Sequence, residues 1–321
     1  MHADILGGFE EGRSMDLEKR TRVLRRLERI GAVGLFLALA YVYGVYRGYV
    51  HVNGPAAGRY PVRGIDVSHY QGEIDWGLVA GQGIDFAYVK ATEGSSHVDE
   101  RFAGNMAGAM EAGVFAGAYH FFSFDSPGIS QAENFLETTG AFEGAMVPAV
   151  DVEFYGDKRE NPPDAGAVET ELRNFLDRVE ADRGQKPVIY ATREAWELYI
   201  RGRFQEYPLW IRDIWREPNL GEDAWEKGES AAGGGGEGNG PGDGPGDEPE
   251  NGNGEKGWTF WQYTNRGRLK GFSGVEEFVD LNVFFGTEEQ WEKWLAENLA
   301  GCRPGDIGEI LEMGFAGRTA E

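Results

Sequence analysis

Residues 146–154 read Met146-Val147-Pro148-Ala149-Val150-Asp151-Val152-Glu153-Phe154. Five apolar positions lead into two acids. A short continuous apolar run is the pattern of a strand buried on both faces, as in a parallel sheet. Residues i and i+2 of a strand point to one face, so Asp151 and Glu153 project together, their Cα atoms roughly 6.5–7 Å apart. Two charges at the end of a buried strand therefore mark the mouth of a sheet. The competing reading is a structural Asp that accepts loop N–H bonds beside a surface Glu, and the Asp-x-Glu pattern alone leaves both open.

Outward from this stretch, similar short runs recur at Gly64–Ser68, Phe86–Ala91, Phe115–Phe121, Val188–Ala191, Leu209–Arg212, Thr259–Tyr263 and Leu281–Phe284. Helical patterns lie between several of them: Arg101–Ala112, Ile129–Thr139, and Ala167–Arg183 with Val168, Leu172, Phe175, Leu176 and Val179 on one stripe. Thr287 caps a last helix with Trp291, Trp294, Leu295 and Leu299 on its inner face. Alternating strand and helix implies a parallel sheet with right-handed crossovers. Eight strands, with helices mainly between the early ones, indicate a closed α/β barrel.

Active sites of such barrels lie at the carboxyl ends of the strands. Those ends carry Asp66, Glu93, His120, Asp151 with Glu153, Tyr190, Asp213, Gln262 and Asp280. Carboxylates gathered in a cleft repel each other, which raises the pKa of at least one. That is how one acid stays protonated near neutral pH. Paired carboxyls beside aromatic rings suit glycoside cleavage: one acid protonates the leaving oxygen, and sugars stack on the rings. Tyr119, Phe121, Trp210, Trp261 and Tyr263 sit near the same ends, with core packing as their alternative role.

Other chemistries fit less well. The net charge of −23, from 31 Lys+Arg against 54 Asp+Glu, excludes a basic nucleic-acid face. The lone Cys302 excludes an intrachain disulfide or a thiol zinc site. His69 and His120 have no zinc-type spacing, and there is no Gly-x-Ser-x-Gly elbow or phosphate-cradling loop. No cofactor or metal is expected, a three-carboxylate Mg²⁺ or Ca²⁺ site being the arrangement left open.

The amino-terminal part differs. Lys19–Arg29 is basic, and Ile30–Tyr46 then runs 17 residues without a charge before Arg47. About 17 apolar residues is the lower limit for a membrane span, and a basic flank favours the amino terminus inside. The expected reading is a retained signal anchor over 30–47, following a cytoplasmic segment 1–29. A cleaved signal peptide and a buried helix are the alternatives. Tyr41, Tyr43, Tyr46 and Tyr49 at the outer end suit an interfacial belt. Residues 48–60 form a linker. Within 231–256 there are 11 Gly and 3 Pro with almost no apolar residue, so 218–257 is expected to be a disordered acidic insertion. Residues 301–321 are expected to be a tail.

The segments GIDVSHYQG (64–72), DFAYVKATEG (85–94), GAYHFF (117–122), VPAVDVEF (147–154), PVIYAT (187–192), PLWIRDI (208–214), FWQYT (260–264) and VDLNVFFG (279–286) occur in the order seen in glycoside hydrolase family 25. Residues 61–300 resemble this family of Chalaropsis-type lysozymes, or N-acetylmuramidases. The resemblance implies a flattened, irregular TIM-like barrel of eight strands and about five helices. It implies cleavage of the β-1,4 bond between N-acetylmuramic acid and N-acetylglucosamine in peptidoglycan. The anchor reading places the catalytic domain outside the cytoplasm, and a monomer is expected. Carried over by motif, Glu153 is the general acid/base and Asp151 its partner at the substrate's 2-acetamido group, with Asp66 and Asp280 completing the cluster. Glu93, Tyr119, His120, Tyr190, Trp210, Gln262 and Tyr263 are the implied glycan contacts. Arg212 and Asp213 depart from the family pattern, which commonly has a small residue and an aromatic there. A glycan-binding module that does not cut, and a hydrolase of another amino-sugar polymer, are the two other readings.

Overall fold

The structure is a computed structural model describing residues 3–55, 58–140, 144–220 and 257–301, with side chains from residue 20 onward. Of the insertion expected to be disordered at 218–257, residues 221–256 lie outside the described residues, as does the tail from 302. Pro218 and Leu220 are buried, and Pro218 O accepts from Trp258 Nε1 at 3.0 Å, so the order of the barrel extends to residue 220. The chain divides into two compact units, 1–51 and 52–321.

In the first unit a single helix, α1, runs Ala3–Tyr46. The apolar run expected at 30–46 is its carboxyl-terminal part. The basic stretch ahead of it continues the same helix, being rich in the helix formers Leu, Glu and Arg. Arg20–Tyr46 is long and apolar enough to cross a membrane, and its large apolar side chains are exposed.

The second unit is a barrel. Its strands are β1 (Arg63–Val67), β2 (Phe86–Glu93), β3 (His97–Val98), β4 (Phe115–Phe121), β5 (Met146–Val152), β6 (Val188–Thr192), β7 (Leu209–Arg212), β8 (Phe260–Gly267) and β9 (Val279–Phe284). The helices are α2 (Trp76–Ala80), α3 (Phe102–Glu111), α4 (Gly128–Thr139), α5 (Ala165–Arg183), the single turn α6 (Arg193–Ala195) continued by a π-helical turn, and α7 (Glu288–Asn298). Sheet order is β1-β9-β8-β7-β6-β5-β4-β2-β3, and β1 also pairs with β2, which closes eight strands. The two-residue β3 hairpins onto β2 outside the ring.

The expectation of an all-parallel sheet is corrected at one strand. β9 runs antiparallel to both β8 and β1, whereas the other pairs of the ring are parallel. The cause is the connection from β8 to β9: a short loop without a crossover helix can only return the chain antiparallel.

Each strand alternates between an inner and an outer face. Inner residues meet across the barrel. Phe86 of β2 lies 5.1 Å from Phe260 of β8, and Tyr88 stacks at 5.0 Å on Trp210 of β7, between strands that are not neighbours in the sheet. The rings fill the barrel because small residues yield space: a Cβ on Gly64 would lie 2.3 Å from the Phe86 ring, and one on Gly117 would lie 2.6 Å from Tyr88. The inner cluster is closed at one end by α7. Its Trp291 and Trp294 stack at 5.4 Å and touch Phe86, Phe260 and Phe284. A capping box at Thr287 starts this helix. Leu299, expected on the helix face, is buried but follows the helix end, where Met146 bridges to it.

The outer face carries Ile65, Val89, Val150, Ile189 and Ile211 against α3, α4 and α5. The predicted α5 stripe from Val168 to Val179 is fully buried there. With aromatic rings and α7 filling the end where the parallel strands begin, polar residues collect at the end where they finish.

Candidate active site

A cleft of about 600 Å³ opens at the carboxyl ends of the parallel strands. Inner-face alternation delivers its walls: Asp66 from β1, Lys90 from β2, Tyr119 and Phe121 from β4, Asp151 from β5 with Glu153 just beyond it, Tyr190 from β6, Trp210 and Arg212 from β7, Gln262 from β8 and Asp280 from β9. Of the six acids read at strand ends, Asp66, Asp151, Glu153 and Asp280 thus reach one cavity.

Asp66 and Asp280 stand directly opposite each other in the antiparallel β1–β9 pair. Like charges so placed repel, and their carboxyls are hydrogen-bonded to each other. Burial and the Asp66 charge push Asp280 well above the ordinary carboxylate range, so Asp280 holds the proton of the pair. Asp66 is the acceptor. Its Oδ2 takes Asn282 Nδ2 at 2.8 Å and Gln262 Nε2 at 3.0 Å. Those amides are themselves oriented: Trp210 Nε1 donates to Asn282 Oδ1 at 2.9 Å, and Tyr190 Oη donates to Gln262 Oε1 at 3.0 Å. Every amide in this chain of bonds has its role fixed by the indole N–H, which can only donate, and by the carboxylate, which can only accept.

The β5 pair is different. Asp151 is buried, and its Oδ1 has no hydrogen-bond partner among the described residues. Burial first, then the neighbouring Glu153, raises its pKa well above the usual range. Glu153 is only partly buried. Burial raises its pKa too, and Arg212 is the main opposing influence. An acid that keeps its proton near neutrality and faces open space is what proton donation to a substrate requires.

Two strands away on β2, Lys90 Nζ pairs with Glu93 at 2.7 Å and lies 4.7 Å from the centre of the Phe121 ring. The rim carries Tyr70, Gln71, Arg266 and Phe278. Gln71 Nε2 donates to Glu276 at 3.0 Å, joining the loop after β1 to the loop before β9.

Three expected glycan contacts are not on the cleft wall. His120 follows the inward Tyr119 and therefore faces outward. It is fully buried, hydrogen-bonded to Thr92 Oγ1 at 2.7 Å and Gln131 Oε1 at 3.0 Å, and stacked on Phe175. Burial lowers its pKa to about 4, so it is a neutral core residue. Tyr263 follows the inward Gln262 and packs outside beside Trp261. Glu93 lies beyond a register shift between Lys90 and Thr92, and serves as the partner of Lys90 rather than as a lining residue. Asp213, also at a strand end, is buried and caps a turn by accepting from Trp215 N and Arg216 N.

Lys90, Asn282, Tyr70, Gln71 and Phe278 were not anticipated. Lys90 and Asn282 follow from counting two residues along the inner face from Tyr88 and from Asp280. The rim residues sit on loops and have no such signal. Among the described residues no group of three or more His, Cys, Asp or Glu is placed to hold a metal ion.

Comparison with known proteins follows the same lines. Residues 65–231 match the family described as Glycosyl hydrolases family 25. The chain is 34% identical over 240 residues to Lysozyme M1 of Streptomyces globisporus, covering 70% of this chain and 68% of that protein. It is 32% identical over 242 residues to the protein YegX of Escherichia coli O157:H7, covering 74% of each. Among solved structures, a family 25 glycosyl hydrolase from Bacillus anthracis superposes with a TM-score of 0.61 at 39% identity, over 75% of this chain and 96% of that one. Barrel, acid cluster and sequence agree: the chain belongs to glycosyl hydrolase family 25 and is a glycoside hydrolase.

Proposed function

We propose that Glu153 is the general acid/base of a lysozyme that cuts the β-1,4 bond between N-acetylmuramic acid and N-acetylglucosamine in peptidoglycan. The observation that carries this reading is the β5 pair: a partly exposed Glu153 held toward its protonated form beside a buried Asp151 with one oxygen unpartnered. The Glu153 carboxyl donates its proton to the glycosidic oxygen as the C1–O bond breaks. The 2-acetamido oxygen of the same sugar closes on C1, and the unpartnered Asp151 oxygen holds the acetamido N–H, so that no enzyme nucleophile is needed. The Glu153 carboxylate then takes a proton from the water that opens the cyclised intermediate, and the acid is restored. Asp66, fixed by Gln262 and Asn282, supplies the fixed negative charge that favours a positive centre at C1. Tyr119 and Phe121, half-buried on the cleft wall, offer ring surface to the sugars, whereas Tyr190 and Trp210 are covered and act by orienting Gln262 and Asn282.

The chain acts outside the cytoplasm as a monomer, held to the membrane through residues 30–47, with the basic segment before them inside. The length and apolar character of that helix support the tether.

The test is the full chain and its Glu153→Gln twin on purified peptidoglycan, with reducing ends identified by mass spectrometry. Muramic acid reducing ends are expected from the parent, and a loss of about 10²–10⁴-fold in the variant. Equal hydrolysis by both would remove Glu153 from its role.

A further inference from the structure

Among the described residues three cationic side chains line the cleft: Lys90, Arg212 and Arg266. Two are engaged. Lys90 is bound by Glu93 and lies over Phe121, and Arg266 lies over the Phe278 ring at 5.0 Å. Arg212 is not. It ends β7 on the inner face two residues after Trp210, opposite Thr192 of β6 and Gln262 of β8. Among the described residues its guanidinium has neither a hydrogen bond nor an ion pair. Its charge is nonetheless felt at Glu153, Asp280 and Asp66.

This is an unusual state for an arginine. The guanidinium has five N–H donors in a rigid fork, matched to a carboxylate. Three of the four nearby carboxyls are otherwise engaged or neutralised, and Glu153 acts on it only through its charge. Asp66 is taken by two amides, Asp280 is bonded to Asp66, and Asp151 is held largely neutral by burial. A partly desolvated cation facing open cleft space with its donors free is a prepared anion site. It stands beside Glu153, hence beside the bond to be cut. The strand that occupies this cleft carries one anionic group per disaccharide that N-acetylglucosamine lacks, the carboxyl on the lactyl ether of muramic acid. Its charge is free in peptide-free strands. In peptide-bearing strands the carboxyl is amidated, and the attached peptide brings carboxylates of its own.

We propose that Arg212 is the specificity-determining residue of the cleft, its guanidinium binding a carboxylate carried by the muramic acid residue next to the scissile bond. This rests on the cleft being the glycan site. It adds that the enzyme reads the acid substituent, not only the sugar ring.

The test compares the full chain with Arg212→Ala and Arg212→Lys on three substrates: peptide-free strands, the same strands with their lactyl carboxyls converted to methyl esters, and peptide-bearing strands. The readout is the ratio of kcat/KM on charged to esterified strands, resolved into kcat and KM. The parent is expected to prefer charged strands. Arg212→Ala should reduce that ratio about tenfold, mainly through KM, and Arg212→Lys should recover part of it, since it keeps the charge and loses the fork. An effect on peptide-free strands identifies the lactyl carboxylate as the ligand, and one confined to peptide-bearing strands identifies the peptide. An unchanged ratio, with charged and esterified strands slowed alike through kcat, would overturn the proposal and leave Arg212 as a counter-charge to the acids. The same strands are also measured for binding to the Glu153→Gln chain. A preference for charged strands there, without cleavage by the parent, would keep the anchor and sink the hydrolytic reading.

Discussion

Asp280 illustrates what a buried acid pair costs a fold. Its pKa is raised on folding, so the folded chain binds that proton more tightly than the unfolded chain. The stability this gives is present in acid and is lost as pH rises through the folded value. Asparagine at this position donates an N–H to Asp66 and does not titrate. Asp280→Asn is therefore expected to raise the melting temperature near neutral pH, by about 2–4 °C per kcal/mol gained at this size. The gain should shrink toward acid pH and be accompanied by slower hydrolysis, as calorimetry and a rate assay would show. In the proposed mechanism Glu153 sets the alkaline side of the activity profile, because it must carry a proton when the bond breaks. Its pKa is raised, so kcat/KM should fall at a pH above the ordinary carboxylate range. Lys90 opposes that rise, and Lys90→Met is expected to move the alkaline limb upward. His120 works in the other direction. Its pKa falls from 6.5 to about 4 on folding, so the unfolded chain binds the proton first and stability declines as pH drops through that window. The loss is about 3 kcal/mol, measurable by denaturant titration at the two ends of the window and absent in His120→Gln.

At the scale of elements, α7 closes the filled end of the barrel, and its indoles do so without touching the cleft. Trp291 is 2% exposed and packs on Phe86, Phe115, Phe260 and Phe284. Trp291→Ala is expected to cost about 3–5 kcal/mol, seen as a lower denaturation midpoint with an unmoved pH–rate profile. A change in that profile would mean that the plug also shapes the acid cluster. The strands were legible in sequence because most are short apolar runs ended by polar residues, and the acids were legible because they stand at those ends. Strand alternation also shows where the reading overreached. Tyr119 with His120, and Gln262 with Tyr263, are adjacent pairs, and only one member of each can face the cleft. Glu93 is brought into register with the inward Phe121 by a shift after Lys90, yet it is drawn to the Lys90 ammonium and stays off the wall, which no residue pattern announces. The antiparallel β9 is set by a connection too short and too polar for a crossover helix. The orphaned Asp151 oxygen and the free Arg212 guanidinium are properties of packing, visible only once the eight strands are closed.

For the whole molecule the net charge of −23 works against the substrate. Bacterial walls are commonly anionic, so long-range electrostatics oppose encounter rather than steer it. The proposed membrane tether would offset this by replacing diffusional encounter with a high effective concentration near the wall. The two influences separate experimentally. With the chain dispersed in mild detergent and given purified anionic wall, raising ionic strength toward about 0.15 M shortens the screening length to about 8 Å. The repulsion weakens, and kcat/KM should rise, through KM, until screening is complete. With the chain reconstituted into vesicles that enclose or adjoin the same wall, the salt dependence should flatten, because encounter no longer limits the rate. A fall in rate with added salt in detergent would show instead that local attraction at the cleft, with Arg212 as its prepared cation, outweighs the charge of the molecule as a whole.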